Sequence, residues 1–190
     1  REFLQLEQRG TFTKLFRSQA PEGTIFLPSN MCHKAKFDSE GNVTKLKSRF
    51  NLGGHRAKNG IHVMEDARSA PTPRMSTVRH IVAQAARLGQ KLLTADIVGA
   101  YLLAQKPEST VPIYFTGLTG QKEFDYNANG ELEVVIYKLE SNMYGHPGAG
   151  YAWFQHVDKM LKEMGFENNP VEPCAYRRGS IELALFVDDF

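Results

Sequence analysis

Two apolar stretches of the chain carry carboxylates where a buried strand would end. Residues 183–187 lead directly into Asp188 and Asp189, and residues 92–101 enclose Asp96. Strands of this composition are stabilised by burial, so an ionised carboxylate at a strand end costs free energy unless it faces solvent or a cation. Two such ends side by side would offer Mg²⁺ the oxygen ligands that it prefers and leave coordination positions for phosphate oxygens. On either stretch alone, a hairpin turn with solvated carboxylates is the simpler interpretation.

Several other sequence blocks follow one another along the chain, and their order carries the interpretation further. They are Gly10-Thr11-Phe12, the basic residues 34–50, residues 70–79 leading into a predicted helix, and Met143-Tyr144-Gly145 with Trp153. Together with residues 96–102 and 186–189, they resemble, in order and spacing, the reverse transcriptase of copia-type retrotransposons over about residues 2–190. Residues 96–102 are similar to its first catalytic motif, and Phe186-Val187-Asp188-Asp189 is similar to its (Tyr/Phe)-x-Asp-Asp motif.

The resemblance implies an α+β fold, the fingers and part of the palm of a right-hand polymerase, in which helices cover one face of an antiparallel sheet. The order of predicted elements, a basic hairpin and then helix, strand, helix and strand, favours the same class. We expect a fingers-like basic lobe over residues 1–75 and an incomplete palm over residues 76–190, with a hairpin-containing insertion of turns at about residues 105–133. In the family a thumb follows. None is recognisable here, so we expect the chain to be truncated after the Asp-Asp motif. Because its first residue is Arg1 and no signal segment precedes the domain, it is also expected to be an internal piece of a longer polypeptide.

Turn residues and the spacing of apolar residues predict the individual elements. In chain order they are a strand at residues 24–27 closed by Pro28, a hairpin over residues 33–50, a mobile loop over residues 53–70, a helix capped by Ser76 and ended by Gly89, a strand around Asp96, a strand at residues 134–139, a helix at about residues 151–164 and a strand at residues 181–187. Helical spacing assigns to the core Val78, Ile81, Val82, Ala85 and Leu88 of the first helix and Trp153, Val157, Met160, Leu161 and Met164 of the second.

A calcium-binding loop is an alternative that the sequence argues against. Residues 125–130 match the first half of an EF-hand loop, but Ile136 occupies the twelfth position, where a bidentate Glu is required. The segment is therefore predicted to be the Asn-Gly turn of a hairpin.

Charge is distributed unevenly along a chain whose net charge is only +2. Residues 1–60 hold eleven Lys and Arg against five Asp and Glu, whereas residues 61–190 hold twelve against sixteen. A basic lobe facing an acidic one suits a polymerase cleft, because the phosphate backbone and metal ions require opposite partners. A solvated basic surface is the simpler alternative. With 42% hydrophobic residues, the chain can bury one core or two small lobes, and it has no apolar run long enough to cross a membrane.

The resemblance assigns the metal chemistry to the acidic stretches. It implies that Asp96 and Asp188 bind two Mg²⁺ ions, with Mn²⁺ as a substitute, and so carry phosphoryl transfer. Asp189 is expected to assist, because in a regular strand its side chain points to the face opposite that of Asp188. The backbone carbonyl of Ile97 is expected to be a further metal ligand.

The resemblance also implies a nucleotide-binding set. Lys36, Lys47 and Arg49 correspond to fingers cations that bind the triphosphate. Tyr101 corresponds to the aromatic residue that excludes a ribose 2′-hydroxyl by its bulk, and a place in the sheet core is the alternative for this residue. Gly148 stands where the commonest family members have a Gln, within a divergent Tyr-Gly-His-Pro variant of the motif. We expect this variant to keep the turn and to lose a contact with the nucleotide.

Together these implications predict an RNA-directed DNA polymerase (reverse transcriptase) fragment of a copia-type polyprotein, a nucleotidyltransferase that extends a primer with deoxynucleotides. Its partners would be an RNA or DNA template with primer, deoxynucleoside triphosphates and further polyprotein domains (thumb, ribonuclease H and integrase), with no membrane partner. The family implies a cytoplasmic location in a virus-like particle, with the nucleus as the alternative. We expect the truncated chain to be inactive alone. The competing hypothesis is a degenerate, inactive fragment that retains at most nucleic-acid binding through residues 34–58.

Overall fold

The computed structural model describes residues 2–118 and 121–190 and has the α+β architecture that the sequence predicts. The helices in this part of the chain are α1 (Glu2–Gln8), α2 (Met75–Leu88) and α3 (Ala149–Glu163). The strands are β1 (Phe12–Phe16), β2 (Phe26–Phe37), β3 (Val43–Leu52), β4 (Tyr114–Leu118), β5 (Phe124–Tyr126), β6 (Leu132–Leu139), β7 (Glu167–Asn169), β8 (Glu172–Arg178) and β9 (Ile181–Ala184). None of these helices is long and apolar enough to span a bilayer.

The larger sheet has the strand order β1-β6-β4-β2-β3, and β5 also pairs with β6. The pairing of β2 with β4 is parallel and the others are antiparallel, so the predicted antiparallel sheet is in fact mixed. A parallel pair needs a long crossover, and the connection between these two strands carries β3 and α2. The smaller sheet, β7-β8-β9, is antiparallel throughout.

β2 is much longer than the predicted strand that Pro28 would close. It runs for 12 residues through Pro28, and the register of its pairing with β4 shifts between Leu27 and Ser29. Proline lacks the N–H that a regular ladder uses, so it is tolerated at such an irregularity. The predicted hairpin of residues 33–50 is confirmed, because β2 and β3 pair from their shared turn to the base of the hairpin.

Residues 105–133, predicted to be an insertion of turns, contain β4 and β5. β4 lies between β6 and β2, and its Tyr114 and Phe115 are buried. The predicted Asn-Gly hairpin is confirmed, since β5 and β6 pair on either side of residues 127–131. Because β4 and β6 join strands from the first 75 residues, the larger sheet extends across the domain boundary predicted at residue 76.

An aromatic cluster fills the core of the larger sheet. Phe12 contacts the rings of Phe3, Phe115 and Tyr137, with centroid separations of 4.9, 5.5 and 5.2 Å. Phe50, which comes from the β2–β3 hairpin, is fully buried in the same cluster. Burial of one such side chain contributes roughly 1.5–3 kcal/mol. The cluster therefore fixes the base of the hairpin to the rest of the sheet.

α2 begins before the serine that was predicted to cap it. Arg74 occupies the N-cap position without a side-chain hydrogen bond, so Ser76 lies within the first turn and the cap prediction is wrong. Gly89 follows the helix as predicted, with a left-handed φ of 63° that suits glycine.

The apolar stripe of α2 is largely uncovered. Of its five predicted core residues only Ala85 is buried, and Val82 and Leu88 are 46% and 54% exposed. The helix contacts β9 at the edge of the smaller sheet. Between them lies an apolar cavity of about 680 Å³, which residues 90–95 and 180–184 also line.

α3 confirms the second predicted helix and supplies the other hydrophobic core. Trp153, Val157 and Leu161 are buried there against the smaller sheet. These residues are four apart, so they form one narrow stripe of the helix. Met160 and Met164, which were also predicted to be core residues, lie beside the stripe and are 36% and 51% exposed.

Candidate active site

The segment around Asp96 pairs with the last residues of the sequence. Residues 92–101 do not form the predicted strand, but Asp96 and Asp189 make an isolated antiparallel bridge. Ala95 and Phe190 exchange two backbone hydrogen bonds, of 3.3 and 2.9 Å. Directly opposite residues of an antiparallel pair project from the same face. The side chains of Asp96 and Asp189 therefore leave the backbone on one side of this bridge.

Asp188 lies in a tight turn, as one of its two central residues, and the strand before it ends three residues earlier than the predicted end at Val187. β9 ends at Ala184, and Phe186 and Asp189 exchange backbone hydrogen bonds of 2.8 and 2.9 Å, which leaves Val187 and Asp188 as the two turn residues. Val187 has a φ of 59°, the one positive φ of a non-glycine residue in residues 2–118 and 121–190. Two-residue hairpin turns of the primed types require a positive φ at this position. Because the chain reverses here, strand alternation does not fix the direction of the Asp188 carboxylate.

The turn and the Asp96 segment form one backbone unit. Ile97, whose carbonyl was predicted to be a metal ligand, donates its N–H to the carbonyl of Asp188 at 2.9 Å. The structure thus brings the predicted metal-binding residues Asp96, Ile97 and Asp188 together. It also makes Asp189, which was predicted only to assist, the direct cross-strand partner of Asp96.

The chemistry of these carboxylates fits a hard cation that is shared with a substrate. Asp96 and Asp189 are exposed and Asp188 is half-buried, and none of the three makes a side-chain hydrogen bond or ion pair with another described residue. The described residues contain no group of three His, Cys, Asp or Glu side chains already arranged to hold a metal ion. Mg²⁺ is commonly bound by one or two carboxylates together with substrate phosphates. The residues therefore fit an ion of that kind, completed by phosphate oxygens.

Two tyrosines and an arginine lie beside the turn. Tyr101 is half-buried on the 3₁₀ turn Ala100–Leu103, and its ring centroid is 5.6 Å from that of Tyr144. The guanidinium carbon of Arg49 lies 5.2 Å from the centroid of the Tyr144 ring, a cation–π distance. The sequence pattern marks Tyr144 only as part of a motif and does not single it out as a site residue.

The electrostatics of the two phenols connect these groups to the turn. Burial raises the pKa of Tyr101, and the negative charge of Asp188 raises it further, while Arg49 acts in the opposite direction. Burial is also the main cause of the raised pKa of Tyr144, where Arg49 again opposes and Asp188 again adds. Arg49 and Asp188 therefore shift the pKa values of the same two tyrosines in opposite directions.

Five cations of the β2–β3 hairpin project from one side, which we name the cationic face. Lys34 is opposite Lys47, Lys36 is opposite Lys45, and Arg49 is two residues beyond Lys47 on β3. Opposite residues and residues two apart share a face. All five are exposed, and none forms an ion pair with another described residue. Lys34 and Lys45 were not in the predicted nucleotide-binding set, although the cations at every second residue of each strand are a signal that could have found them.

A buried histidine fixes the loop that carries Tyr144. The Nε2 atom of His146 lies 3.0 Å from the carbonyl of His62, and the N–H of Gly148 donates to Nδ1 at 3.1 Å. Burial lowers the pKa of His146 to about 4, so the ring is neutral at pH 7 and the proton is on Nε2. His62 is buried as well, so residues 53–70 are irregular as predicted but are anchored at their centre.

Glycine contacts attach the same loop to the end of β3. The N–H of Leu52 donates to the carbonyl of Tyr144 at 2.8 Å, and Gly145 has a φ of 85°. A Cβ atom on Gly145 would overlap the Leu52 carbonyl, and a Cβ atom on Gly54 would overlap the carbonyl of Gly145. Only glycine combines this φ with so close an approach.

Gly148 is buried beside the segment of residues 53–70, and a Cβ atom on Gly150, two residues later, would lie 3.7 Å from the hydroxyl oxygen of Tyr101. A Cβ atom on Gly148 would come within 3.0 Å of Pro107 and 3.1 Å of Val63. Gly148 lines a cavity of about 560 Å³ on one side of α3. The other members of the predicted set are absent from the described lining of that cavity; they are Lys36, Lys47, Arg49 and Tyr101.

Comparison with known protein families covers almost the whole chain. The family described as Reverse transcriptase (RNA-dependent DNA polymerase) matches residues 15–190. A comparison with curated proteins gives no match. The family match includes the β2–β3 hairpin, the Asp96 segment and the turn that holds Asp188. On this match, the chain belongs to the reverse transcriptase (RNA-dependent DNA polymerase) family.

Proposed function

We propose that the chain is the catalytic region of an RNA-directed DNA polymerase of the copia-type retrotransposon branch, which adds deoxynucleotides to a primer. The observation that carries the proposal is the backbone pairing between the Asp96 segment and the turn that holds Asp188. Template-directed phosphoryl transfer needs carboxylates held close together beside a surface that binds phosphates. The cationic face provides such a surface, and Arg49 connects it to Tyr144 near the turn.

In this proposal Asp96 and Asp188 hold two Mg²⁺ ions, with Mn²⁺ as a substitute, and the carbonyl of Ile97 assists. When bound, the ions supply activation of the primer 3′-hydroxyl and neutralise charge on the triphosphate. Asp189 adds negative charge next to Asp96, its direct backbone partner. The side chains of all three acids have no ion pair among the described residues, so they are free to bind cations.

The nucleotide is proposed to lie between the cationic face and the turn. Arg49, with its planar fork of donors, and Lys36 and Lys47 bind the triphosphate. Tyr101 excludes the 2′-hydroxyl of a ribonucleotide by its bulk, which makes it a residue of substrate choice. Tyr144 holds Arg49 on its ring face and lies next to the ring of Tyr101.

The larger sheet and its hairpin correspond in this proposal to the fingers, and the smaller sheet with α3 corresponds to the palm. Residues 1–75 and 76–190 remain the proposed division, with β4 and β6 completing the fingers sheet from the second part. The proposed branch is a divergent one, because His146-Pro147-Gly148 stands where the commonest family members have Leu-Lys-Gln, so the Gln contact would be absent. Template with primer and the thumb, ribonuclease H and integrase domains of a polyprotein are the partners, inside the cell.

Nucleotide binding and single-nucleotide incorporation on an RNA template test this function. We expect Mg²⁺-dependent binding of deoxynucleoside triphosphates to the chain with primer–template, and its loss together with any incorporation in Asp188→Asn. Asp66→Asn, an exposed acid elsewhere, is the matched control. Salt-sensitive binding of primer–template without metal-dependent nucleotide binding would overturn the proposal and favour the degenerate fragment.

A further inference from the structure

The turn that carries Asp188 holds a conformation that its own sequence disfavours. Val187 is β-branched, and a positive φ is a genuine outlier for such a residue. Phe186 and Asp189, which flank the two turn residues, are exposed, with Phe186 at 53%. Sparsely populated backbone conformations persist where the surroundings over-determine them. A contact from outside the turn must therefore hold Val187 in place.

α3 provides a contact of this kind. The indole N–H of Trp153 donates to the carbonyl of Val187 at 2.6 Å. Trp153 is only 2% exposed, and Val157 and Leu161 bury the next two turns of the same helix face. The donor is therefore carried by a helix that is packed into the core. The carbonyl that it binds belongs to the peptide unit that joins Val187 to Asp188.

We propose that Trp153 is a positioning residue, whose indole N–H fixes the peptide plane before Asp188 and thereby orients the Asp188 carboxylate. Only the use made of that carboxylate rests on the proposed function, because the hydrogen bond and the turn are features of the fold. The alternative is that the indole acts only by filling space. Phenylalanine fills much of that space but donates no N–H, so the two roles are separable.

Two replacements remove the donor. Trp153→Phe also shortens the ring system, and it is paired with Phe154→Leu, a change on the same helix at a half-buried residue that packs against the same core. Trp153 is the single tryptophan of the chain. Biosynthetic replacement by 3-benzothienylalanine therefore exchanges only its N–H for sulfur, and it serves where Trp153→Phe does not fold.

Amide hydrogen exchange measures the positioning without any ligand. The N–H groups of Ile97, Asp189 and Phe190 are bonded within the unit formed by the turn and the Asp96 segment. We expect them to exchange at least about tenfold faster when the indole donor is removed, and to stay near the wild-type rate in Phe154→Leu. Equal rates in the wild type and the donor-free proteins, or an equal acceleration in Phe154→Leu, would overturn the proposal.

Titration of the same proteins with Mn²⁺ connects the positioning to the site. Loss of a group that orients a metal ligand typically lowers metal affinity by 10- to 100-fold. We expect a loss of about tenfold or more without the indole donor and wild-type affinity in Phe154→Leu. Unchanged affinity without the donor would overturn the role of Trp153 in orienting Asp188. If the wild type itself does not bind Mn²⁺ while the exchange rates still differ, the proposed function fails and the holding of the turn by Trp153 stands.

Discussion

The β2–β3 hairpin and the centre, by which we mean residues 96–101, 143–148 and 186–190, are built by opposite means. The hairpin exposes five cations on one face, and beyond its base these cations are held by its own ladder, with Arg49 also in contact with Tyr144. The centre is fixed by backbone bonds, glycine contacts and the buried side chains of His146 and Trp153. Attraction between charges falls off gradually with distance, whereas a site of defined geometry tolerates displacements of only about 0.5 Å. Changes in the centre should therefore have abrupt effects, and changes in the hairpin should have graded ones.

The largest effect is expected from the turn. Asp188→Asn removes a proposed metal ligand and should lower Mn²⁺-dependent affinity for a deoxynucleoside triphosphate by at least about 100-fold, since even indirect contacts to a metal site account for 10- to 100-fold. Calorimetric titration measures the change. Titration of Asp189→Asn in parallel shows whether the loss of affinity is specific to Asp188 or also follows when the bridge partner of Asp96 is changed. A loss of less than about tenfold in Asp188→Asn would break the contrast between centre and hairpin.

The next effect concerns protonation of the loop that carries Tyr144. His146 has a pKa of about 4 in the folded protein against an ordinary value of 6.5, so between these values the unfolded chain binds more protons than the folded one. The free energy of unfolding should therefore decrease as the pH falls from 7 to 5, by about 2 kcal/mol from this group.

Urea denaturation at several pH values measures this dependence. His146→Gln has no imidazole to titrate and should lack this part of it. His33→Gln, on the exposed hairpin, controls for the loss of one histidine. Identical pH dependence in the wild type and His146→Gln would show that the loop is not coupled to stability through this side chain.

A smaller effect is expected on the choice of sugar. Tyr101→Ala removes bulk beside Tyr144 and should raise the affinity for a ribonucleotide relative to its deoxyribonucleotide by about tenfold. Competition between the two triphosphates in the presence of Mn²⁺ gives the ratio, and Tyr126→Ala, an exposed tyrosine on β5, is the control. An unchanged ratio would mean that Tyr101 does not select the sugar and has only a structural role.

The smallest effect is expected for one cation of the hairpin. Lys34→Ala should weaken primer–template binding only about fivefold near 0.15 M salt and reduce the slope of log affinity against log salt by about 0.9. Lys91→Ala, a change at an exposed lysine outside the hairpin, is the comparison. If the slope is the same in the wild type and both variants, the cationic face is not part of the phosphate-binding surface.

The sequence predicts what depends on neighbours in the chain. The hairpin of residues 33–50, the Asn-Gly turn near residue 129 and the two long helices follow from turn residues and apolar spacing, and the structure contains all four. The acidic segments are also visible in the sequence, because carboxylates interrupt apolar runs. The resemblance to reverse transcriptases agrees with the family match over residues 15–190.

What depends on distant partners could not be predicted in this way. β4 is predicted to be part of an insertion because its parallel partner, β2, lies far from it in sequence. The exposure of Val82 and Met160 follows from which neighbours pack on each helix, and helical spacing alone does not contain that information. Likewise, Tyr144 contacts Arg49 and Tyr101 at the site. These three residues come from three separate segments of the chain, so local sequence patterns do not predict their contacts.

The parallel pairing of β2 with β4 has a consequence for how the protein reaches its fold. Ser29 of β2 bonds to residues 87 and 88 positions later, and Thr13 of β1 bonds to a residue 127 positions later. Closing loops of this length carries an entropic cost before any contact is formed, so topologies of high contact order fold slowly. The β2–β3 hairpin can form within microseconds of its synthesis. The sheet beside it must wait until the ribosome has delivered β6, and until then its apolar strands are exposed to aggregation and to chaperones.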